Sequence, residues 1–132
     1  MNKNYSKAVT FMELLIVVVI TGILAAIAIP SYVQTLREHR RQDAIQALQD
    51  GKSKIEQYIL ANNSALPATL AAAGINATSV KGYYTMSYTP GSGTAYTLTA
   101  TAVPAGIQGD DTGCTAIWIS DLYDDTQPST CK

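Results

Sequence analysis

The chain has 132 residues, 47% of them hydrophobic, and a formal net charge of −1. That length supports one domain with one modest core. The charge balance excludes a general electrostatic attraction to nucleic acid or to anionic lipid.

Residues 1–8, MNKNYSKA, are short, polar and basic. Next comes Val9 to Ile29, 21 residues whose only polar side chains are Thr10, Glu13 and Thr21. Such a run spans a bilayer as a helix. A secretory signal peptide has a shorter apolar region followed by a small-residue cleavage site. Here the small residue, Ala8, precedes the run. Lys3 and Lys7 flank it on one side and Arg37, Arg40 and Arg41 on the other. Counted as charges alone, these slightly favour placing the C-terminal part inside. The two cysteines and the short leader point the opposite way, with the N-terminus inside and the bulk exported.

Pro30 is the expected kink, because a helix-interior proline lacks an amide donor and crowds the preceding turn. From 31 to 62 the pattern becomes amphipathic: Val33, Leu36, Ile45, Leu48, Ile55, Tyr58 and Ile59 recur at helical spacing. Gly51 interrupts it at about 1 kcal/mol relative to Ala, which marks an expected weak point. Asn62, Asn63 and Ser64 end the helix, and Pro67 opposes resumption.

After an Ala-rich linker (66–78) the period changes. Gly82 to Thr89 and Ala95 to Val103 read as strands around a Pro90-Gly91-Ser92-Gly93 turn, an antiparallel hairpin. Cys114 to Ser120 is a third strand with Ile117 and Ile119 on one face and Trp118 on the other. Leu122 to Thr126 is a short candidate fourth. A thin sheet is marginal alone, so it needs the apolar stripe of the 31–62 helix. The fold class is therefore α+β, a long N-terminal helix against a small antiparallel meander of three to four strands.

Cys114 and Cys131 are the two cysteines, and His39 is the one histidine. A metal site generally wants further Cys or His nearby, so a structural disulfide closing residues 114–131 is the better reading. It implies an oxidising compartment. The loop-entropy model gives such a bridge roughly 3 kcal/mol.

Lys7-Ala8, a glutamate five places after that point, and LLIVVVITGILAAIAIPSY together resemble the class III leader of type IV pilins and pseudopilins. The stretches RRQDAIQAL, GYYTMSYT and YTLTATAV and the Gly113-Cys114 pair are similar to PilE-type minor pilins in particular. The resemblance implies a type IV pilin fold. It implies a leader, 1–8, cut after Ala8 by an inner-membrane prepilin peptidase, which then N-methylates Val9. A transmembrane and filament-core helix, 9–30, and a periplasmic globular domain, 31–132, with its sheet within 82–126, would follow. Family members usually carry Gly before the cut and Phe after it; Ala8 and Val9 stand there in this chain. Loss of the leader removes Lys3 and Lys7 and leaves seven Lys and Arg against ten Asp and Glu.

Glu13 is the residue that calls for a function, since a carboxylate in lipid is costly unless paired. The resemblance supplies a partner, the α-amine of Val9 on a neighbouring subunit. A local alternative is an acid favoured by the helix dipole. Arg37, Arg40 and Arg41 with His39 form a basic collar, read as a solvated face or headgroup contact. Asp110, Asp111, Asp121, Asp124 and Asp125 crowd the C-terminal quarter. They lack EF-hand spacing and read as a solvated loop rather than a calcium site. Tyr83, Tyr84, Tyr88, Tyr96 and Trp118 read as sheet packing. No nucleophile–base pair, phosphate loop or metal spacing supports catalysis or a cofactor.

The expectation is a pilus subunit, a minor pilin that helps initiate or join the fibre. It would support biogenesis, twitching motility, adhesion and natural transformation. Its partners would be other pilin subunits, the peptidase, the assembly machinery and the inner membrane, with no nucleic acid. Its location would be the inner membrane with the N-terminus cytoplasmic, then the extracellular fibre. A major pilin or a type II secretion pseudopilin is the alternative within the class. A membrane-tethered receptor for DNA or another ligand is the rival from outside it.

Overall fold

A computed structural model describes residues 9–132. The expected leader and the residue before the cut, Ala8, lie outside them. The chain divides into two units, one ending at Gln34 and one comprising Thr35–Lys132.

Helix α1 runs from Phe11 to Ala61. It starts where Thr10 can cap it: the Glu13 amide donates to Thr10 Oγ1 at 3.2 Å, and the Leu14 amide donates to the Thr10 carbonyl. In the first unit the helix shows apolar side chains all round, so Phe11, Leu14, Val18, Ile23 and Ile27 are all more than half exposed. Pro30 lies within α1, and helical residues continue on both sides of it. Thr21 Oγ1 donates back to the Val17 carbonyl at 2.7 Å, which satisfies its hydroxyl inside an apolar segment.

In the second unit the helix is one-sided. Arg41, Ala44, Ile45, Leu48, Gly51 and Ile55 are buried, at steps of one, three and four that define a single stripe. Opposite it stands a four-stranded sheet: β1 Tyr84–Pro90, β2 Tyr96–Ala102, β3 Ala116–Ser120 and β4 Tyr123–Gln127. Its order is β1-β2-β3-β4, antiparallel throughout, and Tyr84 pairs with Ala102, Leu98 with Ile119 and Trp118 with Gln127. The hairpin and the third strand lie where the alternation placed them, one or two residues shorter. Tyr84, Met86, Leu98, Ala100, Ile117 and Ile119 form the inner face and make one core with Ala44 and Leu48. Each large apolar side chain buried there is worth about 1.5–3 kcal/mol.

Gly51 corrects an expectation. A Cβ there would come within 2.5 Å of Leu98 Cδ2, and Leu98 is fully buried. The glycine is where β2 packs closest to the helix, so its helix-propensity cost is outweighed by core packing. A second small cluster, Ile55, Ile75 and Tyr96, carries the packing toward the end of α1.

The connection from β2 to β3 is held by polar groups, including a short 3-10 turn at Ile107–Asp110. The Cys114–Cys131 disulfide joins the start of β3 to the C-terminal turn, with the two Cα atoms 5.6 Å apart.

Candidate functional site

Two places carry the residues singled out in the sequence. At the head of α1, Glu13 occupies the third helical position after Thr10, an arrangement of Thr-x-x-Glu type that suits a helix start. The carboxylate is therefore favoured locally by the positive end of the helix. Its side chain is exposed, and no ion pair to it occurs among the described residues. Around it Phe11, Met12, Leu15 and Ile16 are exposed as well. The start of α1 thus presents one acid within an open apolar surface. The helix contains an apolar stretch long enough to cross a membrane.

The second place is a polar latch on the globular unit. Arg41 Nε and a terminal guanidinium nitrogen donate to the two carboxylate oxygens of Asp111, each at 2.7 Å. Both residues are buried. Gln108 Nε2 donates to Asp111 Oδ2 at 3.0 Å and to the Arg37 carbonyl at 3.1 Å, while Arg37 Nε donates to the Ile107 carbonyl at 3.3 Å. The bidentate fork holds the Arg41 guanidinium's pKa above its ordinary value, with the Asp111 hydrogen bond the largest cause. This corrects two readings. Arg41 is not part of a solvated collar, and Asp111 is not in a solvated acidic loop: together they strap the β2–β3 connection to the helix. Of the remaining collar, Arg40 lies over the Tyr83 ring at 4.5 Å and His39 is exposed.

The other acids serve the edges. Lys52 Nζ donates to the Tyr123 carbonyl at 2.8 Å and to Asp124 at 3.3 Å, joining helix to β4. Lys132 pairs with Asp125 and lowers the pKa of that carboxyl. Asp121 accepts from the Tyr96 amide at 3.2 Å. Among the described residues no cluster of three or more acidic, His or Cys side chains could hold a metal. Tyr84 and Tyr96 are buried, and burial raises both phenol pKa values. Tyr84, Tyr88 and Tyr96 thus serve packing, as their alternation indicated.

Comparison with known proteins covers both parts of the chain. Residues 3–29 match the prokaryotic N-terminal methylation motif. Residues 30–118 match the family described as type IV minor pilin ComP, DNA uptake sequence receptor. The chain is a type IV pilin of the ComP family. It is 38% identical over 114 residues to the fimbrial protein EcpC of Eikenella corrodens, covering 83% of this chain and 73% of that protein. It is 37% identical over 82 residues to a fimbrial protein of Neisseria meningitidis serogroup A, covering 61% of this chain and 48% of the other. It is also 37% identical over 79 residues to the type IV major pilin protein PilE of Neisseria gonorrhoeae, covering 59% and 47%. This pilin thus spans about half the length of those two neisserial relatives.

As a pilin, the chain is a structural subunit with an apolar N-terminal helix, membrane-anchored before assembly and extracellular in the fibre. The latch was the part that residue patterns missed. Its two charges are 70 positions apart, and nothing local to either marks the other. The Thr10 cap, by contrast, carries a local signal in Thr-Phe-Met-Glu.

Proposed function

We propose that this pilin is a minor subunit that helps initiate or join a type IV pilus. The leader is cut after Ala8, Val9 is methylated, and the helix waits in the inner membrane with its N-terminus cytoplasmic. Glu13 then pairs with the α-amine of Val9 on a neighbouring subunit. The pair removes the cost of a lone carboxylate as the helix leaves lipid for the fibre. Other pilins, the prepilin peptidase and the assembly machinery are its partners, and the fibre serves motility, adhesion and transformation. The role is assembly rather than chemistry.

The observation that carries this reading is the acid at the head of an exposed apolar helix, four residues after the expected new N-terminus. The test is a deletion strain complemented with wild type or Glu13→Ala, scored for surface fibres and for the protein's abundance in sheared filaments. Restored fibres with low abundance support a minor subunit. High abundance supports a major pilin, and normal fibres with Glu13→Ala overturn the pairing.

A second reading is favoured by one observation, the match of residues 30–118 to a family described as a DNA uptake sequence receptor. Lys81 is an exposed cation of the matched stretch, with Arg37 and Arg40 on the helix. Binding of duplex DNA that weakens with salt and with Lys81→Ala supports that role; DNA binding absent at low salt removes it.

A further inference from the structure

The outer face of the sheet carries a regular polar grid that lies outside the buried core. One row crosses all four strands: Ser87 on β1, Thr99 on β2, Trp118 on β3 and Gln127 on β4 are successive cross-strand partners. The pairs Thr85–Thr101 and Thr89–Thr97 flank that row on β1 and β2. Neighbouring strands stand about 4.8 Å apart, and same-face residues about 6.8 Å apart along a strand, so the groups sit on a fixed mesh. Threonine is stiff at χ1, so ordering them on a ligand costs little.

The chemistry of the row is graded. Ser87 Oγ donates inward to the Thr99 carbonyl at 3.4 Å, and Thr85 Oγ1 to the Thr101 carbonyl at 3.2 Å. Their protons are used, and their outward lone pairs remain as acceptors. Thr99 adds a hydroxyl and Gln127 an amide able to donate and accept. Between them stands the half-buried Trp118, held edge-to-face by Tyr123 at 5.4 Å. The row itself holds no ionisable side chain, whereas Asp121, Asp124 and Asp125 lie along the β3–β4 side. The lysines of that side, Lys52 and Lys132, are engaged with Asp124 and Asp125.

We propose that this face binds a neutral oligosaccharide chain laid across the strands, with one sugar ring stacked on Trp118. A pyranose presents an apolar C–H face to an aromatic ring and hydroxyls around its rim, which is the pattern of this row. The row itself holds no cation, and Lys52 and Lys132 are each paired with an acid, so a polyanion finds no free positive charge among them and a neutral chain suits the row better. Binding by a single chain is independent of the pilus reading. Only the gain from many copies along a fibre rests on it.

The test uses the full chain in detergent and exploits Trp118, the one tryptophan in the sequence. Its fluorescence is titrated with cellotetraose and with chitotetraose, and with a heparin oligosaccharide as the anionic comparison. A saturable change with a neutral tetrasaccharide is expected, weakened about tenfold in a Ser87→Ala/Thr99→Val variant that melts as wild type does. Calorimetry with Trp118→Tyr and Trp118→Thr guards against a folding artefact: the first keeps binding and the second loses it. No response to either neutral sugar overturns the proposal. So does equal binding by the double variant or a stronger response to heparin.

Discussion

The first and second units of this pilin solve opposite problems with the same helix. Residues up to Gln34 leave Phe11, Leu14, Val18 and Ile27 exposed, and the described contacts there are local ones such as Thr10–Glu13 and Thr21–Val17. Residues from Thr35 bury a stripe against a sheet and add a latch, a disulfide and close packing at Gly51. Stability of the chain as an isolated molecule therefore resides in the second unit. The first unit needs an outside medium, lipid or other helices, because an apolar surface of that extent is costly in water.

The sharpest way to break that contrast is to strand a buried charge in the second unit. Arg41→Ala leaves Asp111 buried without its fork, and denaturant unfolding of the globular unit should show a loss of about 3–5 kcal/mol. A Cys114→Ser/Cys131→Ser variant should lose about 3 kcal/mol by the same measurement, as the loop between the cysteines predicts. Gly51→Ala should cost about 1–3 kcal/mol despite the better helix former, because the added methyl meets Leu98. Were it to stabilise instead, the close approach assigned to Gly51 would be wrong.

Alkaline titration sharpens the contrast from another side. The pKa values of Tyr84 and Tyr96 are raised by burial above the ordinary 10.0. Folding thus favours their neutral forms, and that contribution is complete below about pH 10 and lost as pH rises through the raised values. Thermal melts should be insensitive to these groups near neutrality and fall above pH 10. The smallest effect belongs to the first unit: Ile16→Ala should change the melting of the globular unit by less than about 0.5 kcal/mol.

How much of this could be read from residues alone follows the range of each interaction. The helix, the hairpin and the third strand show periodicities of 3.6 and 2 within a dozen residues, so they were legible. Glu13 stood out because a lone acid in an apolar run is anomalous in itself, and its part in assembly stays a proposal. The Arg41–Asp111 latch was not legible, since each charge taken singly reads as a solvated surface group and only the fold brings them together. Gly51 reads locally as a weak helix residue, and its use emerges only when Leu98 arrives from β2. The outer grid lay open in the alternating Thr and Ser of YTMSYT and YTLTAT, but its rows need the strand register.

The most direct measurement of the division is Glu13→Gln in the full chain, followed in cells by membrane fractionation, thermal melting of the globular unit and fibre counts. The predicted result is normal membrane insertion, an unchanged melting temperature and few or no fibres. Wild-type fibre counts with Glu13→Gln would contradict the assignment of Glu13 to assembly, and a lowered melting temperature would contradict the independence of the two units.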